Sequence, residues 1–291
     1  MSFYCRHLSE NRIIMKKDKD LLSYAEDTLV NISDEAAIFE FCKALTVGID
    51  QREWETTRDL IHVQLTVDPD NISLRTIYLT ILLSLTQKFN NDPLSLKDYA
   101  QPTDLTIKPP VVILAGGSDD AVKQKMQSYR QNLMQTFKDF NGTIISGGTR
   151  TGISELVGDI SEHNHDKIKT IGYVPTEYCE QNDIDTNTQR YQEIVCVTRA
   201  VKNGPLVPLQ YWVNIILSGI DIRDIKLIGI NGGKISMFEY QIATALGAQV
   251  GIIKNSGRSA DTFLSDPFWK KQSNVTVLSE NDDSLHHFLN Q

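Results

Sequence analysis

Apolar positions along the chain fall into two regimes. From Leu21 to Phe89 they recur at helical spacing: Ile38, Phe41, Cys42 and Leu45 share one stripe, Trp54, Leu60, Ile61 and Val63 continue it in a second helix, and Ile77, Ile81, Leu82 and Leu85 mark a third. The run from Pro69 to Ser73 reads as a turn, with Ser73 placed to cap the third helix. The most apolar window, Ile77 to Leu85, is about half the length needed to cross a bilayer and reads as a buried helix. Three or four helices joined by short turns predict a small all-α domain over 1–100.

Asn90 to Pro110 mixes Asn, Asp, Pro and Lys and ends in Pro109-Pro110, which cannot extend a helix. The domain boundary is expected there, with a second domain over 108–291. That domain alternates. Strand-like runs at Val111–Ala115, Thr143–Ile145, Lys169–Val174, Tyr191–Val197, Lys226–Ile230, Gln249–Ile253 and Val275–Val277 are separated by helical stretches. The first helix runs on from Asp119 and Asp120 with Val122, Met126, Tyr129, Leu133, Met134 and Phe137 facing inward, and the second buries Ile153, Leu156, Val157 and Ile160. A helix opens at Val207-Pro208 and another spans Ser236 to Leu246, while Tyr178–Gln189 reads as a polar loop. The alternation predicts an α/β fold, a Rossmann-like doubly wound parallel sheet preceded by the helical domain.

Three strand-like runs end in paired glycines: Gly116-Gly117-Ser118, Gly147-Gly148-Thr149-Arg150 with Gly152 beyond, and Asn231-Gly232-Gly233-Lys234. Glycine lets backbone N–H groups approach a ligand, and a following helix adds unpaired donors and partial positive charge, a combination that favours phosphate. In an open α/β sheet all three loops reach one edge, where ligands bind. The competing reading is plain turn glycines.

A net charge of −8 argues against a phosphate-tracking nucleic-acid surface. With 41% hydrophobic and 23% charged residues the composition is that of an ordinary globular chain. The N-terminal twenty residues carry charges throughout and lack a signal peptide's apolar centre, so a cytoplasmic chain without membrane contact is expected. Cys5, Cys42, Cys179 and Cys196 lack C-x-x-C spacing, which predicts reduced thiols and neither a zinc site nor a disulfide framework. His163 and His165 lie two apart on a helix and cannot face one metal, and His286-His287 reads as a surface tail. No metal and no cofactor is expected.

The segment Ser146-Gly-Gly-Thr-Arg-Thr-Gly-Ile-Ser-Glu-Leu-Val-Gly158 resembles the Gly-Gly-Thr-x-x-Gly-Val segment of the SLOG domain in melastatin-type TRP channels, and Asn255-Ser-Gly-Arg-Ser-Ala-Asp261 is similar to their Gly-Ser-Gly-Arg-Ala-Ala-Asp segment. The likeness covers about the last 180 residues. Asn231-Gly-Gly-Lys-Ile-Ser-Met-Phe-Glu239 stands where the related phosphoribohydrolases carry Pro-Gly-Gly-x-Gly-Thr-x-x-Glu; Gly232, Gly233 and Glu239 are kept, Ser236 replaces Thr, and Asn231 and Ile235 depart. The hydrolases' Arg-Lys pair is absent. The resemblance implies a SLOG (LSDAT) sensor of an ADP-ribose-like or cyclic ADP-ribose-like messenger from a prokaryotic conflict system, acting with a separate effector and as a homo-oligomer. The alternative is a nucleotide phosphoribohydrolase or N-glycosidase.

Ligand contacts are expected from Gly116, Gly117, Ser118, Gly147, Gly148, Thr149, Arg150, Gly152, Glu155, Asn231, Gly232, Gly233, Lys234, Ser236, Glu239, Ser256, Gly257 and Arg258. Thr149 adds a hydroxyl, Arg150 and Arg258 a guanidinium for phosphate oxygens, Lys234 an ammonium, and Glu155 an acceptor for a ribose hydroxyl. Each has a structural counterpart. Glu155 suits a helix's first turn, Ser236-x-x-Glu239 is the pattern of a capping box, and Asp261 suits a cap or a partner for arginine. Glu239 would serve an enzyme as general acid/base. Tyr173, Pro175, Gln210 and Trp212 are candidates for contact with a base, with core packing as the alternative.

Overall fold

The computed structural model describes residues 42–47, 50–89, 94–101, 104–180, 190–202, 204–280 and 283–291. Ile38, Phe41, Cys5 and most of the loop expected at 178–189 lie outside them. The second regime folds as its alternation predicts, into β1 (Val111–Gly116), β2 (Gly142–Ser146), β3 (Ile168–Pro175), β4 (Glu193–Val197), β5 (Ile225–Ile230), β6 (Gln249–Ile253) and β7 (Val275–Leu278). They pair in parallel throughout as one seven-stranded sheet, in the order β4-β3-β2-β1-β5-β6-β7. β1 lies at the centre, with Val111–Ala115 all buried. An all-apolar, β-branched run suits a strand covered on both faces.

The sheet begins at β1, winds outward to β4, then crosses back to set β5 on the other side of β1. This reversal makes the β1/β5 junction the topological switch point, where open α/β sheets form a crevice at the strands' carboxyl ends.

Helices cover both faces. On one face α4 (Lys123–Ser128), α5 (Arg130–Thr136), α6 (Gly152–His163) and α12 (Ser284–Asn290) bury Met126, Leu133, Val157, Ile160 and Phe288 against Val112, Leu114 and Ile144. The helix expected as one piece after Asp119 is broken: a 3-10 turn at Asp120–Val122 precedes α4, and Tyr129 separates α4 from α5. His286 and His287 belong to α12, whose Leu285, Phe288 and Leu289 are buried, so this is a packed helix and no tail.

The other face carries α8 (Leu206–Leu217), α9 (Lys234–Leu246), α10 (Arg258–Ser265) and the short α11 (Pro267–Lys270), and over these lie α1 (Gln51–Val67) and α2 (Ile72–Phe89). Ile77, Ile81 and Leu82 of α2 share one buried cluster with Trp212 and Ile242. Segment 94–101 is tied down too: α3 (Leu94–Lys97) buries Leu96, Gln210 Nε2 donates to the Tyr99 carbonyl at 3.0 Å, and Asn214 Nδ2 to the Gln101 carbonyl at 2.9 Å.

Two N-terminal expectations are corrected. Leu60 and Val63 of α1 are 43% and 61% exposed, because this helix turns only its Trp54, Thr57, Ile61 and Leu65 stripe toward α2. Asn71, not Ser73, caps α2: its Oδ1 accepts from Leu74 N at 3.0 Å, and Ser73 is already helical.

The reduced-thiol expectation is also overturned. Cys179 and Cys196 form a disulfide across a separation of 17 residues. Cys179 sits on α7 (Thr176–Glu180), a short helix in place of the loop expected from Tyr178, just past the end of β3. β4 returns beside β3 in the register Val174↔Cys196, which brings the sulfurs together. No local spacing signals such a pair. Cys42 remains a buried free thiol.

Candidate functional site

The loops after β1, β2, β5 and β6 meet at the carboxyl edge and are bonded to one another. Gly117 N donates to the Ile230 carbonyl at 3.3 Å, Ile153 N to the Gly117 carbonyl at 3.0 Å, and Thr151 Oγ1 to the Ser118 carbonyl at 2.6 Å. Ser236 Oγ donates to the Gly116 carbonyl at 3.1 Å, and Ser259 Oγ to the Gly233 carbonyl at 2.8 Å. The β1 loop is thus the hub.

Close loop-to-loop approach explains most of the glycines. A Cβ on Gly116 would stand 2.5 Å from the Ile230 carbonyl oxygen, and one on Gly117 2.7 Å from Val122 Cγ2. At Gly152, with φ +60, it would overlap the Gly117 carbonyl oxygen; at Gly148, with φ +65, it would lie 2.9 Å from Gly172 Cα. Gly147 faces Ser154 Oγ, Gly232 faces Ser236, and Gly257 faces Asn231 Nδ2. Gly233 differs from all of these, since a Cβ there meets nothing within 4 Å. Its backbone borders open space at the start of α9.

Asn231, Ser236 and Ser256 are buried and engaged internally. Asn231 holds φ +61 while its Oδ1 accepts from Gly232 N at 2.9 Å and its Nδ2 donates to the Ser256 carbonyl at 2.7 Å. Ser256 Oγ donates to the Ile253 carbonyl and accepts from Asn231 N, each at 2.8 Å. These side chains lock the β5 and β6 loops to each other. The capping-box expectation for Ser236 and Glu239 is corrected as well, because α9 starts at Lys234 behind Gly233 and both residues lie inside it.

Three helices begin at this edge without a side-chain cap: α6 behind Thr151, α9 behind Gly233 and α10 behind Gly257. The first-turn N–H groups of a helix have no intrahelical acceptor, and the macrodipole sets partial positive charge on them. In the β2 loop and the first turn of α6, buried Thr149 Oγ1 and Glu155 Oε2 have no hydrogen-bond partner among the described residues. Arg150, Lys234 and Ser118 are exposed beside these elements.

Arg258, the first residue of α10, reaches across the junction to Asp119 of the β1 loop through two contacts, Nη1 to Oδ2 at 2.5 Å and Nη2 to Oδ1 at 3.3 Å. The guanidinium holds the Asp119 carboxyl below its usual range, and Asp119 raises Arg258 in turn. Asp261, considered as the arginine's partner, instead accepts from Gly257 N at 3.0 Å. Sequence reading missed Asp119, which lies 139 positions from Arg258 and leaves no local signal.

Glu239 sits deeper, on the α8 side of α9. Burial pushes its carboxyl up to about 8, only partly opposed by the Tyr211 hydroxyl, which donates to Oε1 at 3.3 Å. The expected base contacts are corrected: Tyr173, Gln210 and Trp212 are buried, and Pro175 is buried at the end of β3. Tyr173 packs edge-on against Tyr211, its hydroxyl accepts from Asn214 Nδ2 at 3.0 Å, and the Gln210 amide is taken by Tyr99 and Asn214.

Among the described residues no group of His, Cys, Asp and Glu is arranged to hold a metal ion, and no helix is long and apolar enough to cross a membrane.

No curated protein matches the chain. Among solved structures, the X-ray structure of TM1055, a structural genomics target, is similar at 16% identity and a TM-score of 0.38, covering 58% of this chain and 91% of that one. The family model described as "SLOG in TRPM, prokaryote" matches residues 109–289, the whole doubly wound sheet with its loops. The chain therefore belongs to the prokaryotic SLOG-in-TRPM family, and its carboxyl edge is that of a Rossmann-like SLOG domain.

Proposed function

We propose that the carboxyl edge binds a phosphate-bearing, nucleotide-derived small molecule, of the ADP-ribose or cyclic ADP-ribose kind, and that the chain acts as a sensor for it. The observation that carries this reading is the meeting of three helix starts without side-chain caps, α6, α9 and α10, around the β1 loop at the switch point. A guanidinium at Arg258 and hydroxyls at Thr149 and Ser118 stand beside these helix starts, and Gly233 at the head of α9 borders open space, which is chemistry that suits a phosphate or diphosphate. Partnerless Thr149 Oγ1 and Glu155 Oε2 add a donor and an acceptor suited to a polar sugar. Binding then reaches an effector, a separate protein or a further copy of this chain.

Isothermal titration with ADP-ribose, its cyclic isomers, NAD and cyclic dinucleotides tests the reading. Saturable binding of one of them is expected; silence across the panel overturns it. Native mass spectrometry of freshly purified protein reads a retained ligand and the subunit count together.

Glu239 favours a second reading. A carboxyl raised to about 8 stays protonated at neutral pH and suits a general acid at an N-glycosidic bond. Release of free base from AMP, lost in Glu239→Gln, would make the chain a phosphoribohydrolase.

A further inference from the structure

Asp119 and Arg258 form a two-point ion pair that spans the β1/β5 junction. The carboxylate presents both oxygens to the guanidinium, the same fork geometry in which arginine takes a phosphate. Asp119 is held by its own loop, since Oδ1 also accepts from Ala121 N at 3.1 Å. Arg258 is held by the β5 loop: Ser259 N donates to the Gly232 carbonyl at 3.3 Å and Ala260 N to the Asn231 carbonyl at 2.9 Å. Each partner is fixed to a different wall of the switch point.

The pair is also exposed, with 38% of the Arg258 side chain and 55% of Asp119 open to solvent, so a dissolved anion can reach it. Arg258 is in left-handed backbone at φ +49, directly after Gly257 at φ +97. Left-handed conformations of residues other than glycine are strained and concentrate at binding clamps. Of the four such residues among those described, three lie in the β5 and β6 loops: Asn231, Asn255 and Arg258.

Resting on the reading of this edge as an anion site, we propose that Asp119 is a built-in competitor for the ligand's phosphate at Arg258, so that binding exchanges one anion for the other and uncouples the β1 loop from α10. An ion pair this exposed contributes roughly 0.2–1 kcal/mol, so a phosphate with two charges displaces it readily and a singly charged carboxylate gains little. Asp119 thereby sets both the affinity and the charge preference of the site.

The test uses pyrophosphate, which needs only the anion chemistry, with ADP-ribose titrated in parallel. Asp119→Asn keeps the contact to Ala121 N but gives up the charge. It is expected to bind pyrophosphate about 1.4- to 5-fold tighter than the unchanged protein, the factor that corresponds to an exposed ion pair. Arg258→Gln is expected to weaken binding, and in the double variant the gain from Asp119→Asn should vanish. Equal or weaker binding by Asp119→Asn overturns the proposal, because Asp119 would then orient Arg258 instead of competing for it. A gain that persists without Arg258 overturns it too. If pyrophosphate binds with the expected pattern while ADP-ribose does not, the competitor stands and the nucleotide reading falls. If no anion binds to any variant, both fall.

Discussion

Replacing Gly152 by alanine tests whether the carboxyl edge is assembled by close loop contact. Gly152 opens α6 at φ +60, a conformation that costs an L side chain about 1 kcal/mol or more. Its new Cβ would overlap the Gly117 carbonyl oxygen and stand 2.6 Å from Ser118 Cα, and these are backbone atoms that cannot swing aside. Overpacking of this sort costs about 1–3 kcal/mol. Pushing the loops apart also strains the Ile153 N to Gly117 carbonyl bond, worth about 1 kcal/mol. Together these give a loss of about 3–4 kcal/mol, since such terms do not add fully. For a chain of this size that lowers the thermal midpoint by roughly 6–15 °C. Gly233→Ala is the matched control. Gly233 has negative φ and open space around its Cβ position, so stability should stay within about 0.5 kcal/mol. Circular dichroism melts of both variants decide the matter. A loss below about 1 kcal/mol for Gly152→Ala, or similar losses for both, would refute a hub at Gly117 packed against the start of α6.

The remaining predictions concern ligand, pH and redox. Gly233→Asp should abolish ADP-ribose binding in titration with an unchanged melting curve, whereas Gly148→Asp, whose Cβ meets Gly172 Cα at 2.9 Å, should lose fold and binding together. Glu239 is raised from 4.5 to about 8, so the folded state disfavours the ionised form. Its contribution is fully present below pH 4.5 and declines as pH rises toward about 8, where both states are ionised; Glu239→Gln should flatten that slope in urea melts across the interval. Peptide mass spectrometry without reductant should recover Cys179 linked to Cys196, and Cys196→Ser should cost about 3 kcal/mol, as expected for a closed loop near this length. Recovery of Cys179 and Cys196 as unlinked thiols, four free thiols per chain in all, from protein purified without reductant would refute the pairing.

The sheet and its carboxyl edge were legible in the residue pattern alone. The central strands β1, β2 and β5 announce themselves as short β-branched runs because burial on both faces demands it, and Gly-Gly follows each of them where neighbouring groups approach too closely for most side chains. The α6 stripe was equally legible, since Ile153, Leu156, Val157 and Ile160 repeat at the period of a helix with one buried face. These are properties of a residue and its near neighbours. Other features depend on partners far along the chain and emerged only in the folded molecule. Gly116 and Gly152 look like Gly233 in sequence, yet the first two are filled by neighbouring loops and the third borders open space. Asp119 meets Arg258, and Cys179 meets Cys196, only because the sheet's winding order sets β6 one strand away from β1, across β5, and β4 beside β3. Leu60 and Val63 match a helical stripe as well as Ile61 does, but which side of α1 receives a neighbour is set by where α2 lies. Ser236 fits a cap until the Gly116 carbonyl, from the far end of the crossover, takes its hydroxyl. Local pattern records what a residue needs from its immediate surroundings, and topology supplies which distant group meets that need.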